Sequence, residues 1–163
     1  MVKRPPNPLS PVRAVLIIPL ALSALLGSAG KAESIVPKHE QDPALPEIAG
    51  APAQNKGIRS VRLLGAVDLG DEFAAMGGYQ LRAREIIVEP GGEVGVHRHE
   101  KRPGVAVIVE GTMVERRGLK GLPVLHGPGD TSFEQTGLIH WWRNQGELPS
   151  RAVVIDIVPL KIP

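Results

Sequence analysis

His97 and His99 stand two residues apart in the stretch Gly91–Gly111, GGEVGVHRHEKRPGVAVIVEG, which otherwise reads as strand. Residues two apart on a strand face the same side. Two imidazoles projecting together offer two ligands to one metal ion. A site for Zn, Fe, Mn, Ni or Cu generally draws at least three ligands from the protein. The third candidate is His140, in the stretch Gly129–Asn144, GDTSFEQTGLIHWWRN. The chain has no cysteine, so a metal site must be built from His, carboxylates and neutral oxygens. The remaining histidines read differently. His39 lies in a polar, Pro-rich stretch and is expected to be solvated, and His126 precedes Gly127-Pro128-Gly129 and is expected at an exposed turn.

Elements must hold these side chains in register. From Ile58 onward, short apolar or alternating runs recur, each closed by Gly, Pro, Asn or Asp. Strands are expected near 59–67, 80–89, 94–99, 104–110, 112–117, 122–125, 131–135, 138–143 and 151–159, with a short helical turn within Asp71–Met76. Many short strands with turn signals between them suggest a sandwich or barrel. Alternation puts Trp142 on the face of His140 and Trp141 on the other; both read most simply as packing residues, and the alternative is that one lines a substrate pocket. Asn144 reads as a turn former. Arg82 and Arg84 read most simply as a solvent-facing row; inside a barrel the same pair would bind a carboxylate substrate. Arg116, Arg117 and Lys120 read as a hairpin tip.

Two motifs carry a family resemblance. Gly91, His97, His99 and Gly111 resemble the first motif of the cupins. Gly129, Asp130, Gly137, His140 and Asn144 resemble the second at matching spacing, and the likeness runs from about residue 79 to 159. It implies an all-β, double-stranded β-helix, the cupin jelly-roll barrel. It also implies a divalent metal (Fe, Mn, Zn or Ni) in the barrel mouth, held by His97, His99 and His140. Two positions depart from the pattern. Pro103 and Gly104 occupy the place of the motif glutamate ligand, and Gln135 replaces a proline. Three readings of the site stay open on the residues alone. One is a three-His centre with open positions, as in some cupin dioxygenases. Another borrows a carboxylate, from Glu110 or Glu134, and the last is a barrel with weak or no metal. Glu134 otherwise reads most simply as a solvated outer-face residue, and facing inward it would be an acceptor for an imidazole N–H. Arg102 is placed to aim at the mouth, whereas Glu100, next to His99, should face away.

The rest of the chain bounds location and partners. Ala14 to Gly27, AVLIIPLALSALLG, is an apolar run behind a basic start, followed by small residues. This is the layout of a signal peptide over 1–32, with cleavage after Gly30 or Ala32 and a periplasmic or secreted bacterial product. A retained membrane anchor is the alternative, although Pro19 interrupts the run and a span needs about 20 residues. Residues 33–56 carry Pro37, Pro43, Pro46 and Pro52 and read as a flexible linker. Residues 57–163 then form the barrel domain. Of 19 Lys and Arg, four (Lys3, Arg4, Arg13, Lys31) lie in the leader, leaving 15 against 17 Asp and Glu. That balance argues against nucleic acid as a partner. A small-molecule ligand or substrate is expected, with no stable membrane span after cleavage. A homodimer is expected from the resemblance. The functional expectation is an exported metal-dependent cupin, dioxygenase-like or otherwise, acting on a small organic molecule. The alternatives are a non-enzymatic cupin holding metal or ligand for sensing or storage, and a metal-free barrel used for dimerisation.

Overall fold

A computed structural model describes residues 35–41, 50–120 and 122–160. The expected leader, and 42–49 of the expected linker, lie outside the described residues. Eight strands form one antiparallel sheet that curls into a nearly closed barrel: β1 Lys56–Asp68, β2 Tyr79–Arg98, β3 Gly104–Glu110, β4 Met113–Arg117, β5 Leu122–His126, β6 Thr131–Glu134, β7 Ile139–Arg143 and β8 Ser150–Pro159. The order along the sheet is β5-β4-β7-β2-β8-β3-β6, and β1 also pairs with β2. A 3₁₀ turn at Ala74–Met76 is all that the helical signal at Asp71–Met76 becomes. Among the described residues no helix is long and apolar enough to cross a membrane.

β2 organises the barrel. The sequence suggested two strands separated by Glu89-Pro90-Gly91-Gly92; the chain instead runs through as one bent strand. Its first half, to Val88, pairs with β1 on one side and β8 on the other. Its second half, from Glu93, changes partner to β7. Gly91 makes the corner with a φ of 71°, a left-handed conformation that glycine adopts without steric cost. The corner is pinned by two backbone bonds: Gly91 N–H donates to Asn144 O, and Asn144 N–H to Gly92 O, each 2.9 Å. Asn144 is fully buried and also donates its side-chain amide to the Val88 and Leu148 carbonyls, so it acts as a turn former.

The inward row of β2 is Arg82, Arg84, Ile86 and Val88. The solvent-facing reading of Arg82 and Arg84 is therefore corrected, since the two arginines are 2% and 1% exposed. Asp156, on β8 directly opposite Arg82, makes this possible. It accepts from Arg82 Nε at 2.8 Å, Arg84 Nη2 at 2.9 Å and Arg102 Nη1 at 3.1 Å. Buried charges are tolerated when paired in this way. Burial works to raise the Asp156 carboxyl, but the three guanidiniums outweigh it and hold it below the usual range.

Residues 35–41 also depart from the reading of 33–56 as an open linker. Ile35 and Val36 are buried in the main apolar cluster beside Val88, Ile108 and Trp142. Glu40 is 1% exposed and takes Arg102 Nη2 at 2.6 Å and Nε at 3.0 Å. Arg84 Nη1 donates to Ile35 O at 3.4 Å. The segment thus closes one end of the barrel.

Candidate metal centre

His97 stands near the end of β2 and His99 one residue past it, where the His99 N–H still bonds to Leu138 O and both side chains are buried. His140 on β7 is the direct cross-strand partner of His97. All three are buried, at 4%, 0% and 1% exposure, and their ligand atoms cluster.

The outward nitrogen of each ring is committed. His97 Nδ1–H donates to Gly95 O at 2.9 Å, and His99 Nδ1–H to Arg102 O at 3.0 Å. His140 Nδ1–H donates to Glu115 Oε1 at 2.6 Å. Carbonyl and carboxylate oxygens only accept, so each Nδ1 carries the proton and each neutral ring leaves a lone pair on Nε2. Those lone pairs converge: His140 Nε2 is 3.0 Å from His99 Nε2 and 3.1 Å from His97 Nε2. Nitrogens at right angles around an ion, each about 2.1 Å from it, lie about 3.0 Å apart. The three rings therefore fit one face of a metal's coordination sphere and leave the other face open. One donor approaches, Arg102 Nη2 at 3.4 Å from His99 Nε2, but its shorter bond goes to Glu40.

The rings resist protonation. Burial, then the neighbouring imidazoles, push His97 and His140 well below the ordinary value. Burial, then Arg102, brings His99 from 6.5 to about 4. This has a measurable consequence for the metal-free protein. Between pH 6.5 and 4 the unfolded chain binds imidazole protons that the folded chain refuses, so stability falls with pH. Glu134 opposes this, because burial raises its carboxyl from 4.5 to about 7 and the fold then holds a proton that the unfolded chain releases. Three imidazoles against one carboxyl leave about two protons, or roughly 2–3 kcal/mol lost per pH unit near pH 5.5. Urea unfolding at pH 7.5 and 5.5 measures it; equal midpoints would contradict the buried, neutral triad.

Glu115, which the sequence reading passed over, is the acceptor behind His140. It is fully buried and also accepts from Ser132 Oγ and His126 Nε2, each at 3.0 Å. A carboxylate behind a ligating histidine fixes its tautomer and orientation. His126 is thereby corrected from exposed turn to buried, 6% exposed, with its ring 5.1 Å from that of Trp142. Glu134 is buried on β6, with Oε2 3.6 Å from His99 Nε2 and Oε1 3.8 Å from His140 Nε2. Glu110, the other suggested donor, forms an exposed pair with Arg151. Glu100 is exposed, on the face away from the triad. Trp142 and His97 line an apolar cavity of about 50 Å³ shared with Ile35, Arg84, Arg102 and Glu134. Trp141 lies in a separate cluster with Val96 and Ile139. Its indole Nε1 is buried with no hydrogen-bond partner among the described residues.

Residues 84–156 match the cupin domain family model. The match spans less than half of the chain, and the fold that surrounds it is an all-β, nearly closed antiparallel barrel of the cupin kind. Similar solved structures include a protein from Thermus thermophilus, 22% identical, covering 73% of this chain and 97% of that one, with TM-score 0.49. Another is a predicted oxalate decarboxylase from Thermotoga maritima, 18% identical, covering 60% and 93%, TM-score 0.42. A third is the Schizosaccharomyces pombe Cnp3 cupin domain, 13% identical, TM-score 0.44; the likeness covers 47% of this chain and 54% of that one. No curated protein matches the chain by sequence. The span matched to the cupin family includes the triad, Glu115 and Glu134, and omits Ile35 and Glu40.

Proposed function

We propose that this chain is an exported cupin that binds one divalent metal through His97, His99 and His140. The metal serves oxygenase-like or related metal-dependent chemistry on a small organic molecule held in the cavity. The observation that carries the metal is the convergence of three Nε2 lone pairs at 3.0–3.1 Å, each ring having its other nitrogen tied to an oxygen. When bound there, a divalent ion supplies Lewis acidity and open positions for an oxygen ligand. The protein's own side chains orient the ligand set and exclude water. Glu115 fixes His140, while Trp142, Ile35 and the apolar wall keep the cavity dry and small. A space of about 50 Å³ suits a few heavy atoms rather than a polymer. Export rests on the leader layout and the absence of cysteine; N-terminal sequencing of the secreted chain, expected to begin after Gly30 or Ala32, checks it.

The decisive test is metal content of the untagged mature chain after supplementation with each transition metal. One equivalent is expected; less than about a tenth of an equivalent of every metal overturns the proposal. Oxygen consumption with small enols, thiols and phenols then separates an oxygenase from a second reading, a binding cupin that holds metal and ligand without turnover. That second reading is favoured by the small cavity, which Ile35 and Arg102 line beside His97 and Glu134.

A further inference from the structure

The geometry points to Glu134 as a fourth protein ligand of the metal, supplied from β6 in place of the glutamate missing from β3. The inference rests on the three-His reading above and adds to it a ligand that the family motif does not contain.

Position 104 has no room for a side chain. A Cβ there would lie 2.8 Å from Ile155 O and 3.1 Å from the Asp156 Cβ, and the first of these is backbone that cannot yield cheaply. The absence of a carboxylate at Gly104 is thus built into the way β3 lies against β8. Glu134 is the cross-strand partner of Gly104 in the β3–β6 ladder. Directly paired residues project to the same face, about 5 Å apart. A carboxylate at 134 therefore leaves the sheet one strand over from the motif position, toward the same interior.

Its oxygens lie where a ligand is needed. Oε2 is 3.6 Å from His99 Nε2, Oε1 is 3.8 Å from His140 Nε2, and the side chain is 5% exposed. Two atoms bound to one ion at about 2.1 Å are about 3.0 Å apart at right angles and about 3.4 Å apart in a tetrahedron. A shift of about 0.6–0.8 Å, within the reach of a χ rotation, brings the carboxylate to the right-angle spacing that the imidazoles already have. Each ring spends its Nδ1–H on an oxygen, so a counter-ion role for Glu134 would need a further proton on an Nε2 that faces the neighbouring imidazoles. Arg102, the nearest cation, already holds Glu40 and Asp156. With Glu134 bound, the protein places one negative charge on the ion, so the centre keeps a net charge of +1 rather than +2. Fewer positions then stay open for solvent.

Loading with Mn²⁺ tests this through water-proton relaxivity, which counts waters on the ion. Glu134→Ala is expected to keep one equivalent of Mn²⁺, to bind it at least tenfold more weakly, and to show higher relaxivity as water takes the vacated position. Glu134→Gln, which preserves the volume, reports whether the barrel folds without the charge. Wild-type affinity and relaxivity in Glu134→Ala overturn the inference. Weaker binding with unchanged relaxivity overturns it as well, since Glu134 would then act only through the imidazoles. His140→Ala separates the two levels: lost stoichiometry there, with Glu134→Ala unchanged, leaves the three-His reading standing and removes only the fourth ligand. Retained stoichiometry in His140→Ala removes the three-His reading itself.

Discussion

Replacing His140 with alanine is expected to reduce bound metal from one equivalent to below about a tenth, and to abolish the thermal stabilisation that added metal gives the wild type. His140 is the hub of the triad. Its Nε2 is the one within 3.1 Å of both other Nε2 atoms, and it is the only one of the three that stands on β7. Without it only two imidazoles remain, and even with Glu134 the site loses the ring that bridges His97 and His99. The substitution also removes the Nδ1–H that Glu115 accepts at 2.6 Å, although Ser132 and His126 still satisfy that carboxylate. Folding should therefore survive with a loss of about 1–3 kcal/mol. Elemental analysis, with melting in the presence and absence of metal, checks both parts. A variant that still gained several degrees on metal addition would place the binding elsewhere.

Replacing Asp156 with alanine is expected to cost more stability than any other single change at the barrel interior. Three guanidiniums converge on this one carboxylate, which is 1% exposed. Removing one partner of a buried pair typically costs about 3–5 kcal/mol, because the remaining charge stays desolvated. Here three guanidiniums lose the carboxylate they share, while Arg102 keeps Glu40. Domains of this size have only about 5–15 kcal/mol in total. The variant should unfold at 37 °C or melt more than about 10 °C lower. Asp156→Asn, which keeps the shape and part of the hydrogen bonding, should fall between the two. Chemical denaturation of the three proteins orders them, and a melting point for Asp156→Ala within about 2 °C of wild type would refute the account.

Most of the strands were legible because alternation and Gly/Pro punctuation are local signals. Strands expected at 104–110, 112–117, 131–135 and 151–159 form within one or two residues. The grouping of the three histidines was legible because the two-residue spacing sets His97 and His99 on one face, and the second motif supplied His140. What escaped depends on distant partners. Arg82 and Arg84 look like surface residues until Asp156 arrives 74 and 72 residues later. Glu115 and His126 are both polar and close to turns, and each is buried because the other satisfies it. Two strands were expected where one bent strand forms, because Pro90-Gly91-Gly92 carries turn chemistry while its pairing is decided by Asn144. Residues 35–41 show no period, and they are held by one ion pair and two apolar side chains rather than by a regular element.

Arg102 is gripped from both extremes of the described chain. Glu40 reaches it across 62 residues and Asp156 across 54. Neither partner lies in the strands that carry the imidazoles. During synthesis the histidine-bearing strands β2 and β7 precede β8, so a ribosome-bound chain can present all three rings while Arg102 lacks one counter-ion. The wall beside the metal position is complete only when the last strand zips in and the earliest described segment folds back over the mouth. Contacts of such long sequence separation form slowly. Completion of this wall thus depends on both extremes of the described chain, Glu40 before Arg102 and Asp156 after it.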